Sequence, residues 1–78
     1  MADKTQNARE ILEPLGERIR TLRIKKGWSQ LAMAKVAGMH ANHLGQIERG
    51  ELDSSMDVLF RISTAFNITL SNLFKGIF

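Results

Sequence analysis

Two histidines and one carboxylate stand close together in the middle of the chain, at His40, His43 and Glu48. Imidazole and carboxylate groups can bind a metal ion or transfer a proton, so these residues are the first candidates for a catalytic or metal site. On a helix, however, Glu48 would point away from the histidines, and no nucleophile, third ligand or phosphate-binding loop accompanies them. The sequence therefore predicts neither an enzyme nor a metal or cofactor site.

Two amide side chains in the same stretch suit a different task. Asn42 and Gln46 are four residues apart, so on a helix they share one face, with Ala41 beside them. An amide donates and accepts at once, which matches the N6/N7 edge of adenine in the DNA major groove. We predict that Ala41, Asn42 and Gln46 read base pairs. Gly45 costs about 1 kcal/mol of helix propensity relative to alanine, and close approach of DNA or of a partner would explain it.

A second group of polar residues surrounds this face and could hold the DNA backbone. Ser29 can cap a helix that begins at Gln30, and the free N–H groups and the dipole at such a helix start bind anions such as phosphate. Side chains of cations and histidines nearby add hydrogen-bond donors for the same phosphates. We expect the DNA backbone to be contacted by Ser29, Gln30, Lys35, His40, His43 and Arg49.

To position these groups, the chain needs two short helices joined by a tight turn, and segment 30–49 has the apolar residues for it. Gly38 can take the positive φ that a sharp turn demands, and Met39 can fill the angle between the helices. Two apolar stripes follow the 3.6-residue period, so each helix buries one side and exposes the other. The stripes are Met33, Ala34 and Ala37 in the first helix, and Leu44 and Ile47 in the second.

Three further helices are predicted around this pair. The first runs from Pro14, which suits a first helical turn, to about Lys26. A fourth helix follows a capping turn at residues 53–55, and a short fifth runs from a Thr69 cap to Phe74. No strand pattern persists beyond a few residues, so the predicted fold is all-α with five helices. Residues 1–13 are predicted to be a flexible arm or a short extra helix, and residues 14–78 one domain.

This domain resembles a known family, the phage repressor and Cro-like helix-turn-helix DNA-binding proteins. The resemblance runs from about Leu15 to Phe74 and implies a five-helix, repressor-like domain whose third helix enters the DNA major groove. It also implies that Gln30 holds a phosphate. The segments that carry it are IRTLRIKKG, Ser29 with Gln30, GMHANHLGQIERGE, and LFRISTAFNITLSNLF.

Within that family, the segment GMHANHLGQIERGE is most similar to the controller proteins of restriction-modification systems. Three places differ from residues that are frequent in this subgroup. Ala41 stands for arginine, His43 for tyrosine, and Leu52–Asp53 for Arg-Asn. Because these positions lie in or beside the predicted reading helix, no operator sequence is carried over.

Glu48 falls on the same side of the predicted third helix as the apolar residues Leu44 and Ile47. A buried carboxylate needs a partner, and Arg23, four residues after Ile19 on the first helix, is placed to supply one. The family resemblance implies the same pair. We therefore predict a structural ion pair between Arg23 and Glu48.

Composition limits the function classes. Seventy-eight residues make one small domain, and the absence of cysteine excludes disulfides and thiolate zinc sites. The net charge of +3 is uneven, because residues 1–49 carry +4 and residues 50–78 carry −1, which suits a polyanionic partner on one side. Without an apolar leader or a long apolar run, the expected location is the cytoplasm.

The predicted function is a sequence-specific regulator that binds double-stranded DNA as a homodimer on a near-palindromic operator, such as that of a restriction-modification operon. An antitoxin-type regulator whose main partner is another protein is the alternative. No small-molecule ligand and no membrane partner are expected. The C-terminal region should supply the dimer interface because it holds more apolar surface than one short helix can bury. The expected interface residues are Phe60, Leu70, Phe74, Ile77 and Phe78.

Overall fold

The structure, a computed structural model, describes residues 8–51 and 54–77. Five helices and no strand are present in these ranges, which confirms the all-α prediction. In chain order they are α1 (Arg9–Lys25), α2 (Gln30–Ala37), α3 (Ala41–Glu48), α4 (Met56–Ala65) and α5 (Leu70–Leu73).

Three of the helices begin at a capping hydroxyl. The side chains of Ser29, Ser55 and Thr69 each accept a hydrogen bond from the backbone N–H three residues later, at 3.0 to 3.2 Å. Such a bond pairs one of the N–H groups that every helix start leaves without an intrahelical acceptor. At the turn between α2 and α3, Gly38 has φ 71, the left-handed conformation that the sequence led us to expect.

Helix α1 differs from the prediction at its start. It begins at Arg9, not at Pro14, so the predicted boundary was wrong and residues 9–13 belong to the helix. Pro14 lies inside α1, where it removes the N–H that would have bonded the carbonyl of Glu10 and places its ring near that carbonyl. The extra turn packs on the end of α3, where a Cβ placed on Gly50 would lie 2.8 Å from Cγ of Glu13. The rest of the predicted arm, residues 1–7, lies outside the described residues.

One hydrophobic core joins the five helices. Each helix contributes one apolar side chain that has no exposed surface: Ile19, Met33, Leu44, Ile62 and Leu73, in chain order. Trp28, in the α1–α2 connection, stacks on Phe66 with the ring centroids 6.1 Å apart. The core therefore holds α2 and α3 from the side opposite to their exposed faces.

Helices α1 and α3 pack closely at Gly16. A Cβ atom placed on Gly16 would lie 2.6 Å from the carbonyl oxygen of Glu48 and closer still to that of Ile47. Real side chains do not come this near to a backbone carbonyl, so α1 can pack here only because position 16 has no side chain. The last turn of α3 therefore rests directly on the backbone of α1.

Candidate nucleic-acid interface

The outward side of α3 carries the residues that were predicted to read bases. Asn42 and Gln46 are exposed one turn apart, while Leu44 and Ile47 on the other side are buried. Ala41 is half-buried and packs partly against the core, so its methyl group is less available than the two amides. The structure thus places two uncharged donor–acceptor groups on the exposed face of a helix.

The residues predicted to hold the DNA backbone fall into two groups. Ser29, Lys35 and His40 are exposed, although the Ser29 hydroxyl accepts from the N–H of Ala32 at 3.0 Å. His43 is half-buried. His40 precedes α3, but its side chain makes no capping hydrogen bond there.

Within residues 8–51 and 54–77, no group of three His, Cys, Asp or Glu side chains could hold a metal ion.

Arg23 and Glu48 come together as a bidentate pair. Nε of Arg23 donates to Oε2 of Glu48 at 2.7 Å, and Nη2 donates to Oε1 at 3.1 Å. The remaining nitrogen, Nη1, donates to the carbonyl of Trp28 at 2.8 Å. The Glu48 side chain is only 2% exposed and that of Arg23 11%, so both charges are removed from water. Since burial of a charge is costly without partners, this pair fixes α3 on α1.

Gln30 makes a hydrogen bond within the chain. Its Nε2 donates to Oε1 of Glu48 at 3.0 Å, which uses one of the two N–H groups of the amide, and the contact of Gln30 with a phosphate stays a prediction. Gln30 is half-buried and is the first residue of α2. Glu48 therefore accepts from both α1 and α2, and the Gln30 side chain positions α2 against α3. The sequence analysis did not predict this bond.

Gly45 provides space for two side chains of its own chain. A Cβ atom placed there would lie 3.2 Å from Nη1 of Arg49 and 3.4 Å from Oε1 of Gln30. Gly45 itself is buried. The glycine therefore has a packing reason within the fold, and close approach of DNA or of a partner stays a prediction.

Arg49 is engaged by a residue that the sequence analysis did not select. Its Nε donates to Oε2 of Glu51 at 2.9 Å and its Nη2 to Oε1 at 3.2 Å. The hydrogen bond with Glu51 raises the pKa of Arg49, and the same bond lowers the pKa of the Glu51 carboxyl. The pair is therefore ionised at neutral pH. A cation, a glycine and a carboxylate follow one another at the end of the helix, as Arg49, Gly50 and Glu51, and this order is the sequence signal that could have revealed the ion pair.

The apolar residues predicted for a dimer interface differ in exposure. Phe60 is 60% exposed on α4 and borders a groove of about 290 Å³ between α2 and α4, together with Val36, which is 57% exposed. In contrast, Leu70, Phe74 and Ile77 are half-buried and pack against the core. Phe78 lies outside the described residues.

Three hydrogen bonds from Arg18 connect α5 to α1. Its Nη2 donates to the carbonyl and to Oδ1 of Asn72 at 2.8 and 2.9 Å, and its Nε donates to the carbonyl of Leu73 at 3.3 Å. These bonds hold the last turn of α5 on α1.

In the part of the chain that the structure describes, no helix is long and apolar enough to cross a membrane.

Comparison with curated proteins identifies relatives among bacterial regulators. The chain is 35% identical over 57 residues to the HTH-type transcriptional regulator SutR of Escherichia coli (strain K12), a match that covers 73% of this chain and 32% of SutR. It is 30% identical over 64 residues to the control protein C.SmaI of Serratia marcescens, with 82% of this chain and 76% of C.SmaI covered. The chain thus spans about a third of the first relative and three quarters of the second.

A solved structure shows the same arrangement of helices. The crystal structure of the restriction-modification controller protein C.AhdI from Aeromonas hydrophila matches with a TM-score of 0.79 and 35% identity, covering 81% of this chain and 96% of C.AhdI. The helix-turn-helix family HTH_3 matches residues 19–73, more than half of the chain. This span contains α2, α3, the Glu48 bonds and the exposed amides. The chain therefore belongs to the HTH_3 helix-turn-helix family, and the resemblance seen in the sequence is confirmed.

Proposed function

We propose that this chain is a transcriptional regulator that binds double-stranded DNA sequence-specifically, as a homodimer, and that it controls a restriction-modification operon. The observation that carries the proposal is the exposed face of α3, where Asn42 and Gln46 project from a helix that Arg23 and Gln30 fix through Glu48. A rigid helix with uncharged amides one turn apart is suited to the major groove, because each amide can pair with an adenine edge. The controller proteins among the relatives favour this regulator class.

In the proposed complex, contacts to phosphates surround the reading face. Ser29, Lys35, His40 and His43 lie at the starts of α2 and α3 or along α2, where the N-terminal N–H groups of both helices add to the attraction for phosphate. Such contacts fix the register of a protein on DNA but carry no sequence information. Sequence preference would then depend on Asn42 and Gln46.

Replacing Asn42 or Gln46 with alanine is expected to weaken binding to the preferred site by about 1–3 kcal/mol for each residue and to relax the preference at one base pair per half-site. Binding to random-sequence duplex should barely change. The preferred site is first selected from a pool of random duplexes, and Kd values are then measured for both DNAs at the same salt concentration. Thr21→Ala, at an exposed position of α1, is the matched control. An unaltered ratio of specific to random binding in both variants would show that α3 is not the reading element.

A second experiment tests the homodimer. Among the described residues that we assign to the interface, Phe60 has the most exposed side chain, and Phe60→Glu would place a charge there. The loss of one central aromatic contact costs about 2 kcal/mol or more. The dimer Kd should therefore rise at least ~30-fold, which analytical ultracentrifugation at micromolar concentration would detect as monomer. Ile24→Glu, at a 52% exposed position on α1, is the control and should remain dimeric. If Phe60→Glu is dimeric too, the interface lies elsewhere.

A further inference from the structure

Arg49 and Glu51 form an ion pair at the C-terminal end of α3, the helix that meets DNA in the proposed complex. The pair is bidentate, with N–O distances of 2.9 and 3.2 Å, and both side chains are more than half exposed. Gly50 separates the two residues and has φ 72, which turns the chain so that Glu51 faces Arg49. Unlike the buried Arg23–Glu48 pair, this pair is open to solvent and to any approaching polyanion.

The carboxylate occupies the edge of the guanidinium that best binds an oxyanion. Nε and Nη2 of Arg49 form a planar fork of two parallel donors, which fits a carboxylate and a phosphate equally well. Glu51 fills this fork, while Nη1 extends back towards Gly45, one turn earlier on α3. A phosphate could use the fork only after Glu51 has left it.

We propose that Glu51 competes with DNA phosphate for the guanidinium of Arg49, and so limits the affinity of this protein for DNA of any sequence. The inference rests on the proposed function, since it takes α3 as the helix that meets DNA. The sequence analysis assigned no role to Glu51. The proposed competition with phosphate follows from the contact of Glu51 with Arg49 alone.

The competition can go either way because the pair is exposed. Solvent-exposed ion pairs are weak and are screened by salt, whereas duplex DNA presents one phosphate charge per ~1.7 Å of its axis. As long as Glu51 holds Arg49, the pair is neutral and releases no counterion from DNA. When a phosphate replaces Glu51, Arg49 contributes one contact, but a carboxylate remains beside the DNA backbone and repels it.

The test compares Glu51→Gln with Glu17→Gln, which removes the same charge at an exposed position of α1. Binding to a random-sequence DNA duplex is measured by fluorescence anisotropy over a series of salt concentrations. We expect Glu51→Gln to bind about two- to fivefold more tightly than Glu17→Gln at low salt, the range that corresponds to an exposed pair. Its plot of log K against log salt should be steeper by about one counterion. In an Arg49→Ala background the difference in salt slope should disappear, and only the repulsion of phosphate by the Glu51 carboxylate should still separate the two glutamine variants.

Each other outcome has a definite meaning. If Glu51→Gln and Glu17→Gln bind alike, Glu51 does not compete for Arg49, and the inference is overturned while the proposed function stands. If Glu51→Gln binds more weakly than Glu17→Gln, Glu51 positions Arg49 for DNA, which also overturns the inference. If the unaltered protein binds neither random nor selected duplex, the proposed function itself fails. Melting curves of all variants verify that each one is folded.

Discussion

Glu48→Ala is expected to lower the free energy of unfolding by about 3–5 kcal/mol, because it leaves the buried charge of Arg23 without its carboxylate. Arg23 cannot move easily to water, since its side chain is only 11% exposed and its Nη1 is bonded to the carbonyl of Trp28. The loss is also shared by α2, because Gln30 donates to the same carboxylate. Urea unfolding, followed by circular dichroism at neutral pH, measures the change.

Two further variants separate burial from charge in this experiment. Glu51→Ala removes an exposed carboxylate whose partner stays in solvent, so it should lower the free energy of unfolding far less than Glu48→Ala does. The double variant Arg23→Met, Glu48→Leu replaces the buried pair with apolar groups and should recover most of the loss, because no unpaired charge remains. Equal effects of Glu48→Ala and Glu51→Ala would mean that Glu48 contributes only as a surface charge does.

Gly16→Ala is the second substitution with a large expected effect. The added methyl group would lie 2.6 Å from the carbonyl oxygen of Glu48, and neither α1 nor the backbone of α3 can yield without moving the core between them. We expect the free energy of unfolding to fall by at least about 1–3 kcal/mol, although alanine is a better helix former than glycine. Thermal and urea unfolding of the variant measure the change.

Gly45→Ala is the matched control, because this glycine is also inside a helix and gains the same helix propensity. Its methyl group would meet the flexible end of Arg49, at 3.2 Å from Nη1, rather than backbone. The variant should therefore be neutral or more stable by up to about 1 kcal/mol. If Gly16→Ala were as stable as Gly45→Ala, α1 and α3 would not be packed through their backbones.

Local patterns in the sequence were sufficient for most of the fold. The capping residues Ser29 and Thr69, the left-handed Gly38 and the apolar stripes each depend on neighbours within a few residues, so their roles could be read without a tertiary structure. The start of α1 could not be read in this way, because one contact of the added turn, between Glu13 and Gly50, joins residues 37 positions apart in the chain. Local preference for Pro14 at a helix start favoured the wrong boundary.

The candidate site was predicted less completely than the fold. Arg23 and Glu48 could be paired in advance, since a buried carboxylate requires a partner, Arg23 lies one turn after Ile19 on the first helix, and the family resemblance implies the same pair. The amide of Gln30 and the carboxylate of Glu51 could not be placed, because a polar side chain at a helix end has many rotamers and several possible partners. Their bonds, to Glu48 and to Arg49, give internal partners to two of the residues that were predicted to contact phosphates.

The three hydrogen bonds of Arg18 have a consequence for the geometry of the operator. They tie α5 to α1, and α1 is tied to α3 through Gly16 and Arg23, so each subunit is one stiff frame from its C-terminal helix to its reading helix. In the proposed dimer, the two α3 helices would keep a fixed separation and a fixed rotational phase. One base pair added between the half-sites rotates one half-site relative to the other by about a tenth of a helical turn, since B-DNA has about 10–10.5 base pairs per turn. The bonds that hold this frame within residues 8–51 and 54–77 oppose such a rotation, so the length of the spacer would be part of the signal that the protein recognises.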